Sequence, residues 1–344
     1  MRETNILFTA VGRRAYLVNY FKEALQCCGG KVYAANSIGG TPGVMAADAF
    51  EIVPRSADPG YIDALVNLCR RWRISLLFSL HDWDAPVIAR HKDRFLEVGT
   101  IPVMGDAKIL ATCLDKYSTV REMERIGIPV PWTTHLLDEA FNRMRERGEP
   151  MVVKPRWGQG SIGLFNVNTE QELELAFKLS DSMYRRFSNA CEEIDSSAPQ
   201  MIVQKRIFGD EYGCDIVNGL DGEFRRAFVK RKSGMRAGET DAAESVDMPD
   251  IAEAAEKIGR WSRHLGCMDS DWIVGEDGTP YLIELNPRFG GGYPFTHLAG
   301  ANVVQACVNW ANGIDDWSWC ENYHTGVKIG KEIELRVYED ARNA

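Results

Sequence analysis

Two carboxylates and an amide in the C-terminal half carry the densest chemical signal in this chain. Glu284 and Asn286 sit in Tyr281-Leu-Ile-Glu-Leu-Asn-Pro-Arg-Phe-Gly-Gly-Gly, a short apolar run. In an extended strand, side chains two residues apart point to the same face. Asp271 stands thirteen residues before Glu284, in the strand-like run Asp-Trp-Ile-Val. Between the runs, Gly275-Glu-Asp-Gly278 is a turn signal, and it predicts an antiparallel hairpin that gathers all three oxygen donors. Such hard donors suit Mg²⁺ bridging nucleotide phosphates. A solvated acidic hairpin is the plainer alternative. It accounts for Glu276 and Asp277, but not for Glu284 inside an apolar run, where a bare carboxylate is costly to desolvate.

A second set of residues lies upstream. Met151-Val-Val-Lys154-Pro reads as a strand, and Arg156-Trp-Gly-Gln-Gly-Ser-Ile-Gly163 is a glycine-rich loop returning into Leu164-Phe-Asn-Val-Asn. Glycines at 158, 160 and 163 let backbone N–H groups approach phosphate oxygens, with Lys154 as a point charge beside them. This is not a Walker loop, which needs Gly-x-x-x-x-Gly-Lys-Ser/Thr opening a helix. Alone, the loop reads equally well as a flexible hairpin; between Lys154 and the acidic hairpin it points to a nucleotide site.

The elements that must position these groups are legible from periodicity. Residues 5–11, 31–35, 51–54 and 74–79 are strand-like, and helical patterns follow at residues 16–25 and 61–71. Strands alternating with helices predict a parallel α/β sheet of Rossmann-like type. Its first turn, Gly12-Arg13-Arg14, lacks the dinucleotide fingerprint. Ligands of such sheets lie beyond the carboxyl ends of the strands. There Arg13 or Arg14 could hold a carboxylate and Asp82 or Asp84 an amine, although ordinary loop charges and a satisfied His81 fit equally well. Residues 106–127, with Asp115-Lys116 midway, form a helical linker region ended by Ile128-Pro-Val-Pro. Met201-Ile-Val-Gln-Lys is expected to begin a second sheet, continued by residues 211–217 and 224–231, with a helix at 252–265 and a late strand pair at 326–338.

In order and spacing, these elements resemble the ATP-grasp superfamily. The matching segments are Asp115-Lys116, Met151 to Gly163, Ile202-Val-Gln204-Lys205, Gly209-Asp-Glu211-Tyr, Asp271, and Glu284-Leu-Asn286-Pro-Arg288. The first sheet is similar to the preceding domain of biotin carboxylase and carbamoyl phosphate synthetase. The resemblance implies an N-terminal Rossmann-like domain over residues 1–113 and a two-subdomain ATP-grasp fold over 114–317, with a lid at about 128–200. The strand pair within 318–344 would pack on it.

The resemblance also implies roles. Lys116, Lys154 and a lid at 156–163 (with Gly158, Gly160, Ser161 and Gly163) would hold ATP phosphates. Gln204, Lys205 and Ile207 would lie along the adenine, and Glu211 would meet the ribose; the family commonly has Glu where Gln204 stands. Lys230 would help neutralise the phosphates, and Arg231, Lys232 and Arg236 could do likewise or hold an anionic substrate. Asp271, Glu284 and Asn286 would hold two Mg²⁺ ions, with Mn²⁺ able to substitute, and Arg288 would meet the transferring phosphoryl group or acyl phosphate. His297 could face substrate, though a packed histidine is the commoner meaning.

The implied reaction is attack of a substrate carboxylate on the γ-phosphate, then displacement of phosphate by an amine to give an amide. No protein nucleophile is needed. An ATP-dependent carboxylase or carbamoyl-phosphate-forming enzyme is the second reading, and a non-catalytic nucleotide-binding regulator the third. A net charge of −9 argues against a nucleic-acid surface. Nine cysteines without metal-ligand spacing read as reduced thiols. With neither a leader-like start nor a membrane-length apolar run, the expectation is a cytoplasmic enzyme acting on small molecules. A homodimer through the N-terminal sheet would fit related enzymes.

Overall fold

In the computed structural model the described residues are 1–158, 160–188, 198–236, 238–333, 335 and 337. They build three sheets. The first contains β1 (Asn5–Thr9), β2 (Val32–Asn36), β3 (Ala49–Ile52), β4 (Ile74–Ser79) and β5 (Ile101–Pro102), in the order β3-β2-β1-β4-β5. The pairings β1–β2, β1–β4, β2–β3 and β4–β5 are all parallel. All five residues of β1 are buried, as expected of a strand covered on both faces. The helix Tyr61–Arg71 buries Ile62, Leu65, Val66 and Cys69 on one stripe and leaves Arg70 and Arg71 at its C-terminal end, where cations suit the helix dipole.

The strand order reverses between β1 and β4. Open α/β sheets present their ligand crevice at that point, and here it is formed by residues 10–14 and 80–84.

The second sheet is antiparallel: β6 (Thr133–Thr134), β7 (Met151–Pro155), β8 (Phe165–Val167) and β9 (Met201–Lys205), in the order β6-β9-β7-β8. This corrects the expectation that Met201–Lys205 begins the sheet carrying residues 211–217. β9 instead pairs with β7 in the register Val152↔Gln204 and Lys154↔Ile202. An apolar run signals a strand without naming its partner, and this pairing is non-local.

The third sheet is also antiparallel. It contains β10 (Gly209–Asn218), β11 (Phe224–Arg236), β12 (Glu239–Ser245), β13 (Gly266–Gly275), β14 (Pro280–Asn286) and β15 (Lys328–Gly330), in the order β14-β13-β10-β11-β12-β15. Helix Pro249–Ser262 lays Ile251, Ala254, Ala255 and Ile258 on Cys214, Ile216 and Met268. Where a C-terminal strand pair was expected, the described residues carry one strand, β15, added to β12. Tyr338, at the end of that expected pair, lies outside them.

A single apolar cluster joins the first and third sheets. Phe8, Phe21 and Phe78 share it with Phe228, Phe289 and Tyr293, and the Phe289 ring lies 6.2 Å from Phe21 and 5.9 Å from Phe78. The segment carrying Arg288 is therefore fixed against the N-terminal sheet. No helix among the described residues is long and apolar enough to cross a membrane.

Candidate functional site

The antiparallel β13–β14 hairpin expected from the turn forms. Asp271 faces Glu284, and Asp269 faces Asn286. Trp272 pairs with Leu282, so Ile283 is an extra residue on β14. This bulge turns both Ile283 and Glu284 toward the same pocket. That pocket, about 500 Å³, lies between the second and third sheets, a size suited to a nucleotide-scale ligand.

Its lining includes Lys116, Lys154, Gly158, Gly160 and Ser161, then Gln204, Lys205, Ile207 and Glu211, and finally Asp271 and Glu284. Most of the residues singled out from sequence thus meet in one cavity. Asn286 lines a small adjoining cavity with Asp82, Lys116 and Glu284. Gly163 turns away, accepting a 2.7 Å hydrogen bond from Ser180 on its carbonyl.

Lys116 is aimed by its predecessor. Asp115 caps the helix Lys116–Arg125, accepting from the backbone N–H groups of Tyr117 and Ser118. It also takes both ends of the Arg156 guanidinium at 2.6 Å, which ties the helix start to the glycine-rich loop. Lys116 Nζ then reaches Glu284 at 2.9 Å and the Gly158 carbonyl at 2.5 Å. Burial alone would raise the Glu284 pKa, but Lys116 and Lys154 outweigh it and hold the carboxyl below the usual range. On the same sheet as Glu284, Lys232 donates to Asp271 at 2.5 Å.

Lys154 is fully inside, 5 % exposed, with its ammonium on the Gln204 side-chain oxygen at 2.9 Å. The Gln204 amide donates to Thr133 Oγ1 at 2.9 Å, which fixes which end of the amide faces the lysine. Burial, and then Lys116 nearby, lower the Lys154 pKa to about 8. Gln204 therefore braces the lysine while lining the pocket.

Lys230 is placed differently from expectation. It lies outside the lining of the nucleotide-sized pocket, buried in an ion pair with Asp215 at 2.5 Å and within 3.1 Å of Thr296 Oγ1. Lys232, two residues on, is the lysine of this strand that faces the pocket. Period-two patterning puts both on one face but says nothing of depth.

Arg288 lies at the switch point of the first sheet. Asp82 grips its guanidinium through both carboxylate oxygens, at 2.8 and 3.0 Å. Arg288 pulls the buried Asp82 below its ordinary pKa against the effect of burial. Of the other switch-point charges, Arg14 donates to the Leu80 carbonyl, Arg13 pairs with Glu239, and Asp84 accepts from Tyr61. Asp269 is buried beside Asp271 and Asp215, and burial with those neighbours pushes its carboxyl up to about 7. Glycine is required next to it, because a β-carbon at Gly290 would overlap the Asp269 carboxyl group. His297 is packed, its ring stacked 3.8 Å from that of Tyr20.

Residues 6–103 match the family model described as "PylC-like, N-terminal domain". Residues 197–332 match "ATP-grasp in the biosynthetic pathway with Ter operon". The latter segment is similar to an ATP-grasp domain. Relatives in sequence include the D-alanine–D-alanine ligase of Clostridium beijerinckii, 27 % identical over 191 residues; that alignment covers 51 % of this chain and 58 % of the relative, so the chain spans less than two thirds of its length. Among solved structures, the biotin carboxylase domain of Hydrogenobacter thermophilus 2-oxoglutarate carboxylase superposes with a TM-score of 0.72 at 17 % identity, covering 95 % of this chain and 74 % of that one. The L-amino acid ligase of Bacillus licheniformis gives 0.70 at 21 %, covering 92 % and 79 %.

The ATP-grasp architecture accounts for the pocket lying between two antiparallel sheets. Sequence reading missed the apolar wall formed by Val152, Phe208, Met235, Ile273 and Ile283. Val152 and Ile273 each stand two residues from a residue already singled out, Lys154 and Asp271, and that spacing was the available signal. Thr133, which orients Gln204, and the Asp82–Arg288 pair, which spans 206 residues, left no local trace.

Proposed function

We propose that this chain is an ATP-dependent carboxylate–amine ligase that forms an amide through an acyl phosphate, releasing ADP and phosphate. The carrying observation is the single pocket in which Lys116, Lys154 and Lys232 surround Asp271 and Glu284 beside an apolar wall. The wall suits a purine, Gln204 to Ile207 run along it, and Glu211 at the exposed rim suits ribose hydroxyls. The cations suit a triphosphate.

Asp271, Glu284 and Asn286 fit Mg²⁺, because they are hard oxygen donors on one hairpin and the half-buried Glu284 is held below the usual carboxylate pKa by Lys116 and Lys154. Among the described residues, no group of three acidic, His or Cys side chains could hold a metal by itself. Phosphate or water oxygens would complete the shell, as is usual for Mg²⁺. When bound, the metal supplies charge stabilisation to the transferring phosphoryl group. The relatives' names, among them D-alanine–D-alanine ligase and L-amino acid ligase, support amide formation between small acids and amines.

The residues have distinct tasks. The lysines orient the phosphate chain and offset charge on its equatorial oxygens. The loop 156–163 excludes water from the acyl phosphate. Arg288, held by Asp82 at the switch point, meets the substrate carboxylate or the acyl phosphate, so the acid and amine enter from the N-terminal sheet side. The domain division at about residue 113, two metal ions and a dimer through the first sheet belong to the same reading.

The carboxylase or carbamoyl-phosphate alternative is supported by sequence relatives as well, a pyruvate carboxylase of Caenorhabditis elegans (27 % identical over 224 residues) and a carbamoyl phosphate synthase large chain of Vibrio parahaemolyticus (26 % over 221), although the chain spans less than a fifth of either; the biotin carboxylase superposition bears on fold. An ADP-release screen over carboxylic acids, each with and without a mixture of amino acids, separates the readings. ADP formation that needs both an acid and an amine is the expected result. Formation driven by bicarbonate without an organic acid would overturn the ligase reading.

A further inference from the structure

Each carboxylate at the proposed metal positions already carries a cation. Lys116 Nζ is 2.9 Å from Glu284 Oε1, and Lys232 Nζ is 2.5 Å from Asp271 Oδ1. The two carboxylates face each other across the hairpin, and both lysines line the same pocket. Neither pair is sealed, since Glu284 and Asp271 keep 29 % and 28 % side-chain exposure. A ligand can therefore reach both. The protein's own oxygens here are few for a divalent ion, so water or phosphate oxygens would complete its shell.

We infer that Lys116 and Lys232 are stand-in cations, which neutralise Glu284 and Asp271 in the nucleotide-free protein and keep divalent metal out until nucleotide phosphates draw them away. The inference rests on the reading of Asp271 and Glu284 as metal ligands. A lysine suits this exchange because its ammonium is a point charge on a flexible four-carbon stem, able to move between acceptors. Phosphate oxygens then serve twice: they take the two lysines and complete the metal's ligand shell. Lys116 is also bonded to the Gly158 carbonyl, so its transfer would be felt in the glycine-rich loop. Lys154, also close to Glu284, is occupied by Gln204, and Lys230 is committed to Asp215. Neither lies within ion-pair distance of Glu284 or Asp271 as the stand-ins do.

This assigns opposite signs to the two affinities. Removing a stand-in lysine weakens nucleotide binding and strengthens metal binding by the nucleotide-free protein. A lysine with a merely structural part would not strengthen the latter. The test titrates Mn²⁺ into the full chain without nucleotide and reads free Mn²⁺ by electron paramagnetic resonance, for the parent, Lys232→Met and Lys116→Met. Thermal melting by circular dichroism checks folding, and Lys232→Gln serves if the Met variant fails to fold.

The expected result is Mn²⁺ binding about tenfold tighter in each variant than in the parent, because a unit charge some 4 Å away still counts near a protein surface. The gain should vanish in Lys232→Met/Asp271→Asn. Adding ADP to the parent should produce protein-bound manganese, read by water-proton relaxation. Equal Mn²⁺ affinity in parent and variants, with a normal ADP complex, would overturn the stand-in role while leaving the metal positions intact. Lack of protein-bound manganese even with ADP would overturn the metal positions and the inference together.

Discussion

Lys230 and Lys232 stand two residues apart on the same face of one strand, each paired to an aspartate at 2.5 Å, yet they belong to different parts of the molecule. Both pack along Gly213, where a β-carbon would come within 3.2 Å of Lys230 Cε and 3.6 Å of Lys232 Cε. Lys230 and Asp215 are sealed, with 3 % and 0 % side-chain exposure, whereas Asp271 beside Lys232 keeps 28 %. The same chemistry serves structure in one place and exchange in the other. Depth decides, because a buried charge cannot leave its partner without being stranded.

The largest effect expected from this contrast is on stability. Lys230→Met leaves Asp215 buried without its cation, and should cost about 3–5 kcal/mol of unfolding free energy in a denaturant titration. Equal stability losses in Lys230→Met and Lys232→Met would break the comparison.

Next in size is Glu284→Gln, which removes charge from the metal position. Turnover should fall by about 100-fold or more, roughly 2.7 kcal/mol of barrier, with the melting temperature little changed. Turnover within about tenfold of the parent would count against the metal position.

Lys154 sharpens the comparison from another side. It is as buried as Lys230 but faces the neutral Gln204 rather than a carboxylate, and its pKa lies near 8 where that of Lys230 is raised by Asp215. Nucleotide affinity should fall as pH rises through 8, by up to about tenfold per unit. Stability moves the other way. Between about 8 and the ordinary lysine value of 10.5, the unfolded chain binds the extra proton, so folding is favoured as pH rises through that window and disfavoured below it. Gln204→Glu should move both curves to higher pH. Calorimetry at pH 8 in buffers of different ionisation enthalpy should show proton uptake on ATP binding, and its absence would show that Lys154 does not gain a proton there.

The smallest effect is on the stability of Lys232→Met. Its pair is open to solvent at Asp271, so the loss should stay within about 1 kcal/mol, checked by the same denaturant titration.

Much of this arrangement was legible in the chain. The parallel sheet showed in alternating apolar runs, and the β13–β14 hairpin in its Gly275–Gly278 turn, since both are local patterns. Lys154, the glycine-rich loop, Asp271 and Glu284 were marked by residue type and spacing, whereas Lys116, Gln204, Lys205, Ile207 and Glu211 came only through the resemblance to the ATP-grasp superfamily. What stayed hidden was long-range or a matter of depth. Nothing in Met201–Lys205 says that it pairs with Met151–Pro155, and nothing in Val229-Lys-Arg-Lys says which lysine is sealed. The bulge at Ile283 depends on register, and the grip of Asp82 on Arg288 depends on two sheets packing through Phe289. The apolar wall was hidden for a different reason: Val152 and Ile273 look like any strand residues until the second and third sheets face each other.

In the proposed reaction the pocket holds the phosphate chain so that a substrate carboxylate attacks the γ-phosphorus. Once the screen has supplied an acid and an amine, the direct measurement uses that acid labelled with ¹⁸O in its carboxylate. The spent nucleotide is resolved by chromatography and the released phosphate analysed by mass spectrometry. Attack at the γ-phosphorus transfers one carboxylate oxygen to phosphate when the amine displaces it, so the account predicts ADP with singly labelled phosphate, in step with amide. AMP with pyrophosphate, or unlabelled phosphate formed alongside the amide, would contradict it.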